Sequence, residues 1–178
     1  MTGARRPTRK REGGRRPVRV DILVEAGDWP PRHWLRQFAT HAIGAVAARS
    51  DVDLAADSEL SLVFTDDAHV RALNRKYRSK DRATNVLSFP APRSGGHRFG
   101  PLLGDIVLAA ETVAREAAEQ GLTLGHHLTH LIVHGFLHLI GHDHETEAEA
   151  VVMERLETAI LAGIGVADPY ADDNGSEP

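Results

Sequence analysis

The chain has 178 residues, 42% of them apolar, a formal net charge of −4 and no cysteine. That length suits one domain with a sizeable core, and the missing cysteines exclude disulfides and thiolate metal sites, so histidine must carry any metal chemistry. No apolar run approaches the roughly 20 residues of a membrane span, and a cytoplasmic protein is expected.

The charge is unevenly divided. Residues 1–19 hold eight basic side chains against Glu12 alone, residues 71–98 hold eight more against Asp81 alone, and the remainder holds five basic and 23 acidic groups. Two concentrated basic segments are the footprint of a surface that meets phosphates; a merely solvated loop is the bland alternative.

Residues 1–17, with Pro7, Gly13, Gly14 and Pro17 among arginines, predict a disordered basic tail; a transit peptide is the alternative reading. Val18, Val20, Ile22 and Val24 alternate with Arg19, Asp21 and Leu23 as in a first strand with one strongly buried face. Trp34, Leu35, Phe38, Ala39, Ala42, Ile43 and Val46 recur at helical spacing after Pro30 and Pro31. A second strand follows at Leu60–Thr65, and Asp66 is placed to cap a short helix carrying Val70, Leu73 and Asn74. The basic stretch beyond has no period and predicts a loop, ending in a short strand at Val86–Phe89 that Pro90 stops.

Gly104–Leu108 predicts a further strand, Glu111–Gln120 a helix, Thr123–Ile140 a longer helix, and Glu147–Leu161 a last one with Val151, Val152, Leu156 and Ile160 as its apolar residues. Residues 166–178 form an acidic, mobile tail in this reading. Strands and helices interleave without equal βα units or internal repeats. The expected fold over 18–165 is therefore a single α+β domain, a small mixed sheet packed with several helices, with a metal site at the end of the long helix and the turn after it.

That site rests on the run His134–His144, HGFLHLIGHDH. His134 and His138 lie one helical turn apart on one face, so both imidazoles can reach one ion. A third ligand eight residues on would be carried roughly 12 Å along the axis, whereas zinc holds imidazole nitrogen at about 2.0 to 2.1 Å. The chain must turn back, Gly141 is where it can, and His142 or His144 then supplies the donor. His130 is better suited to hydrogen bonding near the site than to ligation. His126 and His127 read as solvated or core histidines, and Asp143 either orients a ligand imidazole or bonds the turn backbone. Three imidazoles without a carboxylate favour one zinc ion with an open fourth position, although nickel, copper or iron could occupy such a site. Zinc peptidases share this spacing in H-E-x-x-H-x-x-G-x-x-H, but Gly135 stands where their general base would be.

The same run is similar to the signature H-G-x-L-H-L-x-G-Y-D-H, and LNRKYRSKD at Leu73–Asp81 to the loop L-N-x-x-Y-R-x-K-D; TNVLSFP at Thr84–Pro90 and LGDI at Leu103–Ile106 also fit. By these motifs, spanning roughly residues 18–163, the chain resembles the bacterial YbeY family, endoribonucleases implicated in rRNA maturation and ribosome quality control. The resemblance implies His134, His138 and His144 as zinc ligands and Arg78 as the functional arginine. It implies a single-strand-specific endoribonuclease acting on the 16S rRNA 3′ end, with the small ribosomal subunit and ribosomal protein uS11 as candidate partners. His142 replaces a usual tyrosine, Ala83 a common proline and Asn85 a common aspartate. Arg78 is suited to the charge that develops on phosphorus, while Lys76, Lys80 and Arg82 would position the strand. For the base, zinc hydroxide, His142, Asp105 and the RNA's own 2′-hydroxyl stay open. The rival reading is a ribosome-assembly factor with a structural zinc and a basic loop that binds rRNA without cutting it.

Overall fold

The computed structural model describes residues 17–49, 51–93, 98–142 and 146–170. In chain order these form β1 (Arg19–Val24), α1 (Arg32–Ala47), β2 (Glu59–Thr65), α2 (Asp67–Arg78), β3 (Val86–Pro90), β4 (Leu102–Ala109), α3 (Ala110–Glu119), α4 (Leu124–Leu139) and α5 (Glu147–Gly163). The predicted single α+β domain with a small mixed sheet is what the chain forms. Positions 1–16 and 171–178, which hold most of the two expected tails, lie outside the described residues, as do Asp143 and His144.

The sheet order is β1-β2-β4-β3, the first three strands parallel and β3 antiparallel at an edge. Register fixes what each face carries. Ile22, Leu62, Ile106 and Ser88 stand in one row across the sheet, and since side chains alternate along a strand, Asp21, Ser61, Asp105 and Phe89 form the neighbouring row on the opposite face. The inner rows close the main core with Leu35, Ile43, Leu128, Ile132 and Phe136 from α1 and α4. A smaller cluster of Val70, Leu87, Val107 and Ala109 seats α2 on the outer face.

β1 lacks the strongly buried face its alternation predicts. Only Ile22 is fully buried, while Val18 and Val20 are partly covered and Val24 is exposed, because β1 is an edge strand flanked by β2 alone. The apolar face of α5 also differs from expectation. Val151 and Val152 are exposed, and Met153, Glu157, Ile160 and Leu161 face inward.

A third difference bears on function. The basic run does not begin as a loop, for Arg75, Lys76, Tyr77 and Arg78 form the last turn of α2. Asp66 caps the helix by accepting from His69 N at 2.8 Å, and cations in a last turn are favoured by the partial negative charge of the carbonyl end, by about 0.3–1 kcal/mol each. Ser79 then takes the left-handed conformation, φ 56°, that ends the helix. The following loop is tied back by the buried Asn74, whose Nδ2 donates to Arg82 O at 2.8 Å, and by a bidentate Arg71–Asp81 pair at 2.8 and 3.0 Å.

α4 lies unusually close to the sheet at Gly135. A Cβ placed there would stand 2.9 Å from Ile106 Cγ2 and 3.1 Å from Ser88 Oγ, and the Ser88 hydroxyl donates to the Gly135 carbonyl at 3.2 Å. Gly135→Ala must displace the buried Ile106 or lift the helix. Overpacking of this kind costs about 1–3 kcal/mol, so urea unfolding of Gly135→Ala should show that loss with an unchanged m-value.

Candidate active site and metal centre

Thr123 starts α4 by accepting from His126 N at 3.2 Å, and the helix ends as the sequence predicts at Gly141, φ 88°. There Gly141 N donates to His138 O at 3.1 Å and His142 N to Leu137 O at 3.0 Å, the paired bonds of a Schellman ending. Between these caps His126, His130, His134 and His138 recur every four residues on one side. His126 is exposed and the other three are half-buried.

His134 Nε2 and His138 Nε2 converge to 3.1 Å. Two nitrogens held at about 2.0 to 2.1 Å by one tetrahedral ion stand roughly 3.3 Å apart, so this pair is spaced for a shared cation. Behind it lies a carboxylate that inspection of the sequence misses. Glu157 of α5 is 0% exposed; its Oε1 lies 2.7 Å from His134 Nδ1 and its Oε2 3.0 Å from His130 Nε2, with the Tyr170 hydroxyl also donating to Oε2. Burial alone would push the Glu157 carboxyl up, but the bonds from His130, His134 and Tyr170 hold it down at about 2, which favours the ionised carboxylate. Burial and the adjacent Glu157 charge push the Tyr170 hydroxyl well above its ordinary value, keeping it a donor.

An ionised carboxylate only accepts, so His134 Nδ1 and His130 Nε2 must carry the protons. In neutral His134 this leaves the lone pair on Nε2, directed at His138. A carboxylate that fixes the tautomer of an imidazole is the usual support of a histidine metal ligand. His130, expected to hydrogen-bond near the site, does so through Glu157, and its Nδ1 is buried without a partner. His130, His134 and Glu157 bring one donor atom each to within 4.8 Å of one another and could hold a metal ion. The Nε2 pair, by contrast, leaves both imidazole–carboxylate bonds intact.

One cleft of about 870 Å³ is lined by His134, His138 and His142 together with Arg78, Lys80 and Arg82. Arg78 is exposed and oriented by Nη2 donating to Ser88 O at 3.2 Å, on the same residue whose hydroxyl grips Gly135. Burial lowers the His142 pKa from its ordinary value, which favours the neutral imidazole.

Two expected participants lie elsewhere. Asp105 sits on the outer row of the sheet, one residue from Ile106, which faces α4; strand alternation turns it away from the cleft. Lys76 also faces outward, its Nζ 4.8 Å from the centre of the Tyr77 ring.

Besides Glu157, the sequence reading missed Arg115 and Glu116 of α3, both on the cleft wall, and of His126 and His127 it is His127 that is buried, at 2% exposure. Glu157 did carry a signal. It lies four residues after Met153 and three and four before Ile160 and Leu161, inside the apolar stripe of its helix. Glu157→Gln keeps the shape and removes the charge. It should weaken zinc binding roughly 10–100-fold in a chelator competition titration, while an unchanged affinity would remove Glu157 from the metal centre.

A family model described as Endoribonuclease YbeY matches residues 30–165. A protein named Endoribonuclease YbeY from Chelativorans sp. (strain BNC1) is 56% identical over 153 residues, covering 85% of this chain and 93% of that protein. One of the same name from Rhizobium meliloti (strain 1021) is 54% identical over 159 residues, covering 86% and 95%. The solution structure of TM1509 from Thermotoga maritima shares the fold, with a TM-score of 0.51 and 21% identity over 89% of this chain and 99% of that one. With a match across most of its length and relatives above half identity, the chain belongs to the YbeY family.

Proposed function

We propose that the chain is a zinc-dependent endoribonuclease that cleaves single-stranded RNA during rRNA maturation, with His134, His138 and His144 as ligands and Arg78 on the scissile phosphate. The observation that carries this reading is that one basic cleft holds both the converging Nε2 pair and Arg78. The names of the relatives add the reaction class.

A zinc ion, when bound, supplies Lewis acidity toward a phosphate oxygen and lowers the pKa of a coordinated water. The protein's own groups do the rest. Arg78 presents a permanently charged fork to the phosphorane-like charge, held in place by Ser88 O. Lys80 and Arg82 hold the flanking backbone. Glu157 keeps the proton of His134 on Nδ1, so that Nε2 stays a lone-pair donor. As base, His142 lies within the cleft and the RNA's own 2′-hydroxyl comes with the substrate; Asp105 does not reach it. The peptidase reading fails on space as well as chemistry, because Gly135 has no room for a glutamate.

We assign the catalytic domain to residues 18–165 and treat 1–17 and 166–178 as flanking tails. Residues 166–170 turn back along α5, where Asp168 accepts from Thr158 Oγ1 and Tyr170 meets Glu157. Among the described residues no helix is long and apolar enough to cross a membrane. Cytoplasmic location, the 16S rRNA 3′ end, the small ribosomal subunit and uS11 follow from the family resemblance. The assembly-factor reading is kept as the rival because, among the described residues, no carboxylate adjoins the Nε2 pair on its cleft side.

Two measurements separate these. Arg78→Ala should lower single-stranded RNA cleavage by about 10²–10³-fold and RNA binding much less, with Arg78→Lys in between; binding without cleavage in the wild type favours the assembly factor. In zinc titrations His138→Ala should abolish tight binding while His130→Ala retains it, and the reverse order would place the ion among His130, His134 and Glu157.

A further inference from the structure

Glu116 is the one carboxylate on the cleft wall among the described residues, and neither the metal centre nor Arg78 uses it. Its Oε2 is held from two sides. The Nε2 of buried His127 lies 3.0 Å away and Asn85 Nδ2 donates at 2.9 Å. Asn85 Oδ1 accepts from Val86 N at 2.7 Å, which fixes which way its amide points. Burial lowers the His127 pKa, which favours the neutral ring, whose Nε2 proton then goes to the carboxylate. Oε1 makes no hydrogen bond among the described residues, and the Glu116 side chain is 27% exposed.

Its distance from the metal centre decides what Glu116 can do. His127, which Glu116 meets, precedes His134 by seven residues, nearly two turns, so the two lie on the same side of α4 about 10 Å apart along the axis. That spacing sets the His127-held carboxylate apart from the Nε2 pair along the same cleft. It corresponds to the span from a phosphate to the edge of a neighbouring base. Beside it, Arg115 is held by Nη2 donating to Thr112 Oγ1 at 3.1 Å, a planar cation on which an unstacked base can lie.

Resting on the ribonuclease reading above, we infer that Glu116, oriented by His127 and Asn85, forms a nucleobase subsite selecting a base with an exocyclic amino group, cytosine over uracil. The open carboxylate oxygen accepts from the cytosine N4 amino group. Uracil places a carbonyl oxygen at that position, where it meets the carboxylate acceptor to acceptor.

The test uses the full chain and fluorescein-labelled 2′-O-methyl hexacytidylate and hexauridylate, compared by fluorescence anisotropy. Wild type should bind the cytosine hexamer about tenfold more tightly or better. In Glu116→Gln the ratio should fall to one or below, since the new carbonyl can keep accepting from His127 and Asn85 while its amino group faces the cleft and suits uracil. Because each ratio is taken within one preparation, an inactive fraction cancels. A wild-type ratio of one, or a ratio that survives in Glu116→Gln, overturns the subsite and leaves the RNA cleft standing. Failure of both hexamers to bind overturns the RNA cleft and the subsite with it.

Discussion

Between α4 and the sheet at Gly135 there is no room for a side chain, and the Ser88 hydroxyl holds the helix down by donating to the Gly135 carbonyl. The positions of the groups in the cleft depend on this contact. It sets α4 at a fixed height over β3 and β4, so that His134 and His138 emerge at the cleft rim and not inside the core. The carbonyl of Ser88 meanwhile accepts from Arg78. One residue of an edge strand thus indexes the Arg78 guanidinium against the helix that carries the imidazoles, and a shift of either would separate them.

Charge explains the next layer. A buried carboxylate is costly unless it is fully hydrogen-bonded, and Glu157 meets that condition with donors from two turns of α4 and from Tyr170. The result is a permanent negative charge behind the imidazoles, which fixes the His134 tautomer. Burial here serves geometry: a solvated glutamate on a free rotamer could not hold a ring to a single orientation.

The basic segment between Arg71 and Arg98 is not one surface. The helical turn at its start distributes Lys76 to the outer face and Arg78 to the cleft, and the loop that follows is drawn in by Asn74 and the Arg71–Asp81 pair. Part of the positive charge therefore orders the protein, and part is left for a ligand. Arg115, from a different helix, completes the cleft's positive side.

Much of this was legible in the chain itself. Alternation and helical spacing located the strands and helices, because burial of one face imposes those periods wherever an element packs; the four-residue stripe of histidines and Gly141 located α4 and its end, because both reflect local backbone geometry. Glu157, Glu116 and Arg115 were not legible as site residues, since their roles come from α5 and α3 meeting α4, contacts between segments that no local pattern encodes. Nor could spacing tell that Asp105 and Lys76 face away, for a strand's two faces look equivalent until register assigns one to the core. The sequence by itself determined which atoms are available for binding metal and phosphate. Only the packing of α4 on the sheet, with α5 behind and α3 beside it, decided which of them share a cleft.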